Sequence, residues 1–162
     1  MLKYLAPDFK RYSYLDRGSD ERQYCAPGID LPVASIMRSK YSAYPEYHTS
    51  LDDLTLVTPD GLEGGFTALR KTIEVIECNC RPMVTVLGEP QLGKRGLYPT
   101  LSTKSSGDEV RVMMDMIAYC DGTHTLLDIA EIIKAPVSEL QNVYSKLSKC
   151  GLLRDLDVVS RS

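Results

Sequence analysis

The chain has no tryptophan, two phenylalanines and two histidines in 162 residues. His48 and His124 are therefore the only imidazoles it can offer to a metal or to proton transfer. Cysteine is present but in a pattern of little use. Cys25, Cys78, Cys80, Cys120 and Cys150 are odd in number and include no CxxC pair, which argues against a disulfide framework and against a cysteine-based zinc site. No apolar run approaches the roughly 18 residues of a membrane-spanning helix. Residues 1–10 lack the apolar centre of a signal peptide, so the expectation is a cytoplasmic protein with no membrane partner.

What is present is ordinary in bulk and uneven in distribution. Hydrophobic residues make up 43% and charged residues 25%, the balance of a soluble globular protein. The net charge of −3 hides three regions. Residues 1–80 hold 9 basic and 12 acidic side chains, residues 81–106 hold 4 and 1, and residues 107–162 hold 6 and 9. A basic Gly/Pro linker, containing Pro82, Gly88, Pro90, Gly93, Gly96 and Pro99, thus joins two acidic parts. An acidic C-terminal part is a poor match for a phosphate backbone, so nucleic acid is not the expected partner.

In the first part, residues 4–15 and 31–37 read as strands from their apolar, aromatic and β-branched content. The charged run from Asp16 to Arg22 reads as a loop. A helix follows, with Thr58 as its N-cap and Pro59 in its first turn. Leu62, Phe66, Leu69, Ile73 and Ile76 form one apolar stripe on it, and the helix is expected to stop near Cys78 and Asn79. Residues 107–162 show three short amphipathic helices and a strand. Val110, Met113, Met114 and Ile117 mark the first helix, and Asp121-Gly122 a turn. Thr125 and Asp128 have capping-box spacing ahead of Leu126, Ile129, Ala130 and Ile133. Pro136 precedes a third helix marked by Val137, Leu140, Val143, Tyr144 and Leu147. Gly151 closes it, and a strand runs from Leu152 to about Val159. This order is that of a winged helix-turn-helix.

Four features could carry chemistry. His48 lies on a loop after an expected strand, where a neutral imidazole can ligate zinc, and Asp52 or Asp53 could orient its other nitrogen. Asp20, Glu21 and Arg22 could contact a polar substrate, or could pair with one another in a surface loop. Gly88 to Lys94 matches GxxxxGK and follows the strand-like Met83 to Leu87, but Arg95 stands where the magnesium-binding Ser or Thr belongs, and Gly96 and Pro99 oppose the helix that a phosphate loop needs. The third helix of the C-terminal part offers Gln141, Asn142, Lys146 and Lys149 to DNA, but in acidic surroundings that favour a protein partner for residues 107–162.

Longer motifs narrow this field. Asp20-Glu21-Arg22-Gln23-Tyr24-Cys25-Ala26-Pro27-Gly28, Leu31-Pro32-Val33 and Pro45-Glu46-Tyr47-His48-Thr49-Ser50-Leu51-Asp52-Asp53 resemble the bacterial aminopeptidase-like proteins assigned to polysaccharide biosynthesis, relatives of the di-zinc aminopeptidases. Gly88-Glu89-Pro90-Gln91-Leu92-Gly93 with Arg95-Gly96-Leu97-Tyr98 matches that family's linker. Asp121-Gly122-Thr123-His124-Thr125-Leu126-Leu127-Asp128-Ile129-Ala130 resembles its C-terminal winged helix.

The resemblance implies an α/β fold, with the C-terminal portion of a zinc-aminopeptidase-like mixed sheet over residues 1–80 and a small winged helix-turn-helix over residues 107–162. It implies that His48 is the last zinc ligand of an intact enzyme acting on a peptide or amide. The remaining family ligands and a glutamate base come from an earlier region that nothing in residues 1–19 resembles. The chain is thus expected to be about the last third of a longer protein, to lack most metal ligands, to bind zinc weakly or not at all, and to be inactive alone. His124 reads as structural.

Overall fold

A computed structural model describes residues 1–97 and 104–156, with side chains from residue 107 onward in the second stretch. The chain divides into two compact units, Met1–Ile73 and Glu74–Ser162.

The first unit is mostly turns. It holds α1 (Leu2–Leu5), a 3₁₀ turn at Tyr14–Asp16, α2 (Glu21–Tyr24), and most of the long helix α3 (Pro59–Glu77). The strands expected at residues 4–15 and 31–37 are not formed. A strand needs a neighbour to complete its ladder, and these segments satisfy their backbones locally instead. Leu31 N–H donates to the Tyr24 carbonyl at 2.8 Å and Val33 N–H to the Leu31 carbonyl at 2.8 Å. The Cys25 thiol donates towards the carbonyls of Leu31 and Val33, at 3.3 and 3.4 Å.

Helix α3 starts as its sequence requires. The Gly61 N–H donates to Thr58 Oγ1 at 3.1 Å, and Pro59, which has no N–H to satisfy, occupies the first turn. The expected apolar stripe is present but not buried. Leu62, Phe66, Leu69, Ile73 and Ile76 are 51–65% exposed, while Ala68 alone is buried among residues 1–73.

The second unit is a winged helix-turn-helix. It contains β1 (Pro82–Val84), a 3₁₀ turn at Gly93–Arg95, α4 (Lys104–Ala118), α5 (Leu126–Ile133), α6 (Val137–Lys149) and β2 (Leu153–Asp155). Met113 and Met116 of α4, Leu126 and Ile129 of α5, and Leu140, Val143 and Leu147 of α6 share one core with Cys80, Leu92, Cys120, Leu152 and Leu153. The capping box at α5 is complete. The Asp128 N–H donates to Thr125 Oγ1 at 3.2 Å, and the Thr125 N–H donates to Asp128 Oδ2 at 2.9 Å. Gly151 takes φ +69° after α6, as its place behind a helix end suggests.

Residues 82–84, inside the stretch read as linker, form strand β1. It pairs antiparallel with β2 in the register Pro82 with Asp155, Met83 with Arg154 and Val84 with Leu153. On its other edge Met83 bridges to Asp121. The Val84 N–H donates to the Cys120 carbonyl and the Gly122 N–H to the Pro82 carbonyl, at 2.9 and 3.1 Å. Proline is tolerated at the first position of such a strand because one N–H can be spared there. Leu92, from the same stretch, is a core residue. The portions of the expected linker and final strand at residues 98–103 and beyond 156 lie outside the described residues. Among the described residues no helix is long and apolar enough to cross a membrane.

Candidate functional site

The segment around His48 is a run of tight turns. The Tyr47 N–H donates to the Tyr44 carbonyl at 3.3 Å, Thr49 N–H to the Glu46 carbonyl at 3.0 Å, and Asp52 N–H to the Thr49 carbonyl at 3.2 Å. Thr49 Oγ1 also donates to the Glu46 carbonyl and accepts from the Leu51 N–H. These bonds hold His48 in the left-handed region at φ +57°, a conformation uncommon outside glycine but one in which histidine is enriched. Its ring lies 4.1 Å, centroid to centroid, from that of Tyr47, which packs edge-on against Tyr44. The imidazole is exposed, and among the described residues no hydrogen bond engages its nitrogens.

Asp53, one of the two residues expected to orient it, is turned to other work. Asp53 Oδ1 accepts from the Thr55 N–H at 2.8 Å and from Thr55 Oγ1 at 2.7 Å, and these bonds hold its carboxyl below the usual aspartate value. Neither Asp52 nor Asp53 is hydrogen-bonded to His48 among the described residues.

Glu21 is the best-anchored carboxylate of the first unit. Its Oε1 accepts from Gly18 N–H at 2.7 Å, from Ser19 N–H at 3.0 Å and from the Tyr41 hydroxyl at 2.9 Å. The backbone N–H groups of Gly18 and Ser19 dominate the effect and hold the carboxyl at about 2, because charge-assisted bonds favour the ionised form. Tyr41 Oη also lies 2.9 Å from the Asp16 carbonyl. Burial and the Glu21 carboxylate together raise the tyrosine's own titration. Glu21 is thus an internal fastener of the loop. Asp20 sits at the start of α2 without a side-chain cap, and Arg22 is exposed, its carbonyl accepting from the Tyr14 hydroxyl at 3.2 Å.

The tie between Tyr41 and Glu21 was not read from the sequence. The available signal was Gly18, which leaves room for a ring. A Cβ there would stand 2.3 Å from Tyr41 Cε2.

His124 is occupied differently. Its Nδ1 lies 3.1 Å from Asp121 Oδ1 and 3.1 Å from Thr123 Oγ1, within an Asx turn that also takes the Thr123 N–H. At the GxxxxGK match, the segment after Gly88 makes only the three-residue turn at Gly93–Arg95, and Gly96 takes φ +66°. Among the described residues no α-helix follows the match directly. On α6, Lys146 is paired with Glu109 of α4.

Zinc, the metal that the resemblance implies, needs three protein ligands for a catalytic site. Among the described residues no group of three or more His, Cys, Asp or Glu could hold a metal ion. A lone imidazole such as that of His48 would be one ligand at most, and the described residues do not complete a site.

This arrangement, turns and a long helix followed by a winged helix-turn-helix, defines a two-module chain. Residues 1–79 match the family model described as a domain of unknown function, DUF4910, and residues 80–155 match a winged helix-turn-helix model. Over 116 residues, 70% of this chain, it is 43% identical to a Clostridium acetobutylicum protein named as a candidate polysaccharide biosynthesis protein with an aminopeptidase-like domain. A crystal structure of a candidate peptidase from Clostridium acetobutylicum matches 94% of this chain with a TM-score of 0.78 and 33% identity. The family resemblance seen in the motifs therefore holds in both sequence and fold. The chain spans 26% of the first relative and 34% of the second.

Proposed function

We propose that this chain is the C-terminal region of a zinc-dependent aminopeptidase-like hydrolase of the cytoplasm, and that His48 is its contribution to the metal centre. The observation that carries the reading is the state of His48: exposed, held in a left-handed turn, and with ring nitrogens free of hydrogen bonds among the described residues. Strained backbone at a polar side chain is a recurrent feature of functional sites. In the assembled enzyme, zinc would supply an activated water for attack on a peptide or other amide bond. The chain's own part is to present one imidazole, with Glu21 and Tyr41 fixing the loop that carries Asp20 and Arg22 near the substrate. The isolated chain is expected to bind zinc weakly and to be inactive.

The test is a hybrid in which the matched region of the Clostridium acetobutylicum protein is replaced by residues 1–162. Its zinc content, measured by elemental analysis, is expected to fall when His48 is changed to alanine. Unchanged zinc would remove the ligand assignment.

A second reading gives the winged helix a protein partner. Lys146, a residue that DNA recognition would need, is already paired with Glu109, and the unit is acidic. The chain is expected to cause no mobility shift of duplex DNA even at low salt, where phosphate binding is strongest. A salt-dependent shift would favour a DNA reader instead.

A further inference from the structure

Helix α3 has three faces, and only two are accounted for. On one side lie Gly61, Gly64, Ala68 and Thr72, at helical spacing. This side meets Arg38 at its first turns and holds the one buried residue of the helix. Arg38 Nη1 donates to the carbonyls of Asp60 and Gly61 at 3.2 and 3.3 Å. A Cβ on Gly64 would stand 2.9 Å from the same nitrogen, Ala68 is buried, and Thr72 Oγ1 donates back to the Ala68 carbonyl. A second side carries Glu63, Arg70, Lys71, Glu74 and Glu77, the pattern of a face that meets water. The third side is Leu62, Phe66, Leu69 and Ile73. Each is more than half exposed, and no charged residue interrupts the row. Helices of globular proteins normally bury such a stripe. Here Ala68 is the buried residue of the helix, Arg38 lies beside Gly61 and Gly64, and the bulky side faces out.

We propose that Leu62, Phe66, Leu69 and Ile73 form the docking face for the aminopeptidase-like portion of the assembled protein that this chain does not span. The occupant follows from the comparison. The solved relative reproduces 94% of this chain, yet this chain is only 34% of it, so there the same backbone exists beside a further body about twice its length. A contiguous apolar face on a polypeptide that accompanies a larger body marks an interaction surface. The proposal rests on the reading of the chain as part of an aminopeptidase-like hydrolase, and extends it from a metal ligand to the surface that would bring that ligand to its partners.

The experiment compares Phe66→Asp/Ile73→Asp in the isolated 162-residue chain and in the hybrid. In the isolated chain the substituted side chains already face water, so the far-ultraviolet circular dichroism and melting temperature are expected to be unchanged. In the hybrid the same pair is expected to lower the melting temperature by roughly 5 °C or more, while Glu63→Gln on the charged side leaves it unaltered. An unchanged hybrid melt overturns the docking face, and so does an unsubstituted hybrid that fails to fold. Sedimentation of the isolated chain as a dimer that Phe66→Asp dissociates overturns it too, by making a second copy the occupant. The zinc content of the hybrid with His48→Ala reports on the metal reading alone, so the two ideas fail separately.

Discussion

Tyr41 lies across Gly18 so closely that a β-carbon on the glycine would come within 2.3 Å of the ring. The same ring carries the hydroxyl that reaches Glu21 Oε1 at 2.9 Å. Gly18→Ala is therefore expected to displace the ring and release both the Glu21 and the Asp16 contacts. Limited proteolysis should then cut within residues 16–24 faster than in the parent chain. Tyr41→Phe, which keeps the ring and loses only the hydroxyl, should give a smaller increase. Equal cleavage in Gly18→Ala and the parent would show that the ring does not hold the loop.

Glu21 sets a pH dependence. Its carboxyl is held at about 2 in the folded chain, below the 4.5 of an unperturbed glutamate. A depressed folded value means stabilisation that is fully present above about pH 4.5 and is lost as pH falls towards 2. The amide resonances of Gly18 and Ser19, which donate to this carboxylate, are expected to shift with a midpoint near 2. A midpoint near 4.5 would mean that the carboxylate is not engaged in solution.

The capping box of α5 offers a test in the second unit. Thr125→Ala removes the acceptor for the Asp128 N–H and is expected to cost about 1 kcal/mol, read as a lower urea midpoint with an unchanged slope. Thr125→Ser should restore most of the loss. The Asp128 carboxyl is held low, mainly by its bonds from Thr125. This contribution too is present at neutral pH and disappears on acidification.

Cysteine reactivity should sort by burial. Cys150 is exposed and Cys120 is buried. Burial, with smaller effects from Cys80 and Asp121, pushes the Cys120 thiol up to about 12. The thiolate is the reactive form, so iodoacetamide at pH 8 is expected to label Cys150 in the native chain and Cys120 only after denaturation. Mass spectrometry showing rapid native labelling of Cys120 would contradict the core of the winged helix.

Legibility differed between the two units for a physical reason. The three helices of the winged helix-turn-helix, the Thr125 cap and the Gly151 terminus were all readable, because each depends on contacts a few residues apart. Strand β1 was legible only in part: Met83 to Leu87 reads as strand-like, but the element is Pro82–Val84. Its partner was not legible, because the pairing comes from β2, some seventy residues onward. The strands expected at residues 4–15 and 31–37 failed in the opposite sense. Their residues favour extended backbone, but among the described residues no neighbour supplies a ladder, and turns and the Cys25 thiol take hydrogen bonds instead.

The candidate site shows the same division. His48 was visible as an imidazole in a motif, and the sequence by itself determined that at most two histidines could ever serve a metal here. It also determined where α3 begins and which residues form its stripe, since capping and helical period are local. Only the tertiary structure decided that Glu21 fastens its own loop through Tyr41 and that Asp53 serves Thr55. It decided as well that the stripe on α3 faces outward while Ala68 is buried and the Arg38 guanidinium lies beside Gly61 and Gly64. Periodicity gives a helix its faces, but which face is buried depends on what distant segment lies against it.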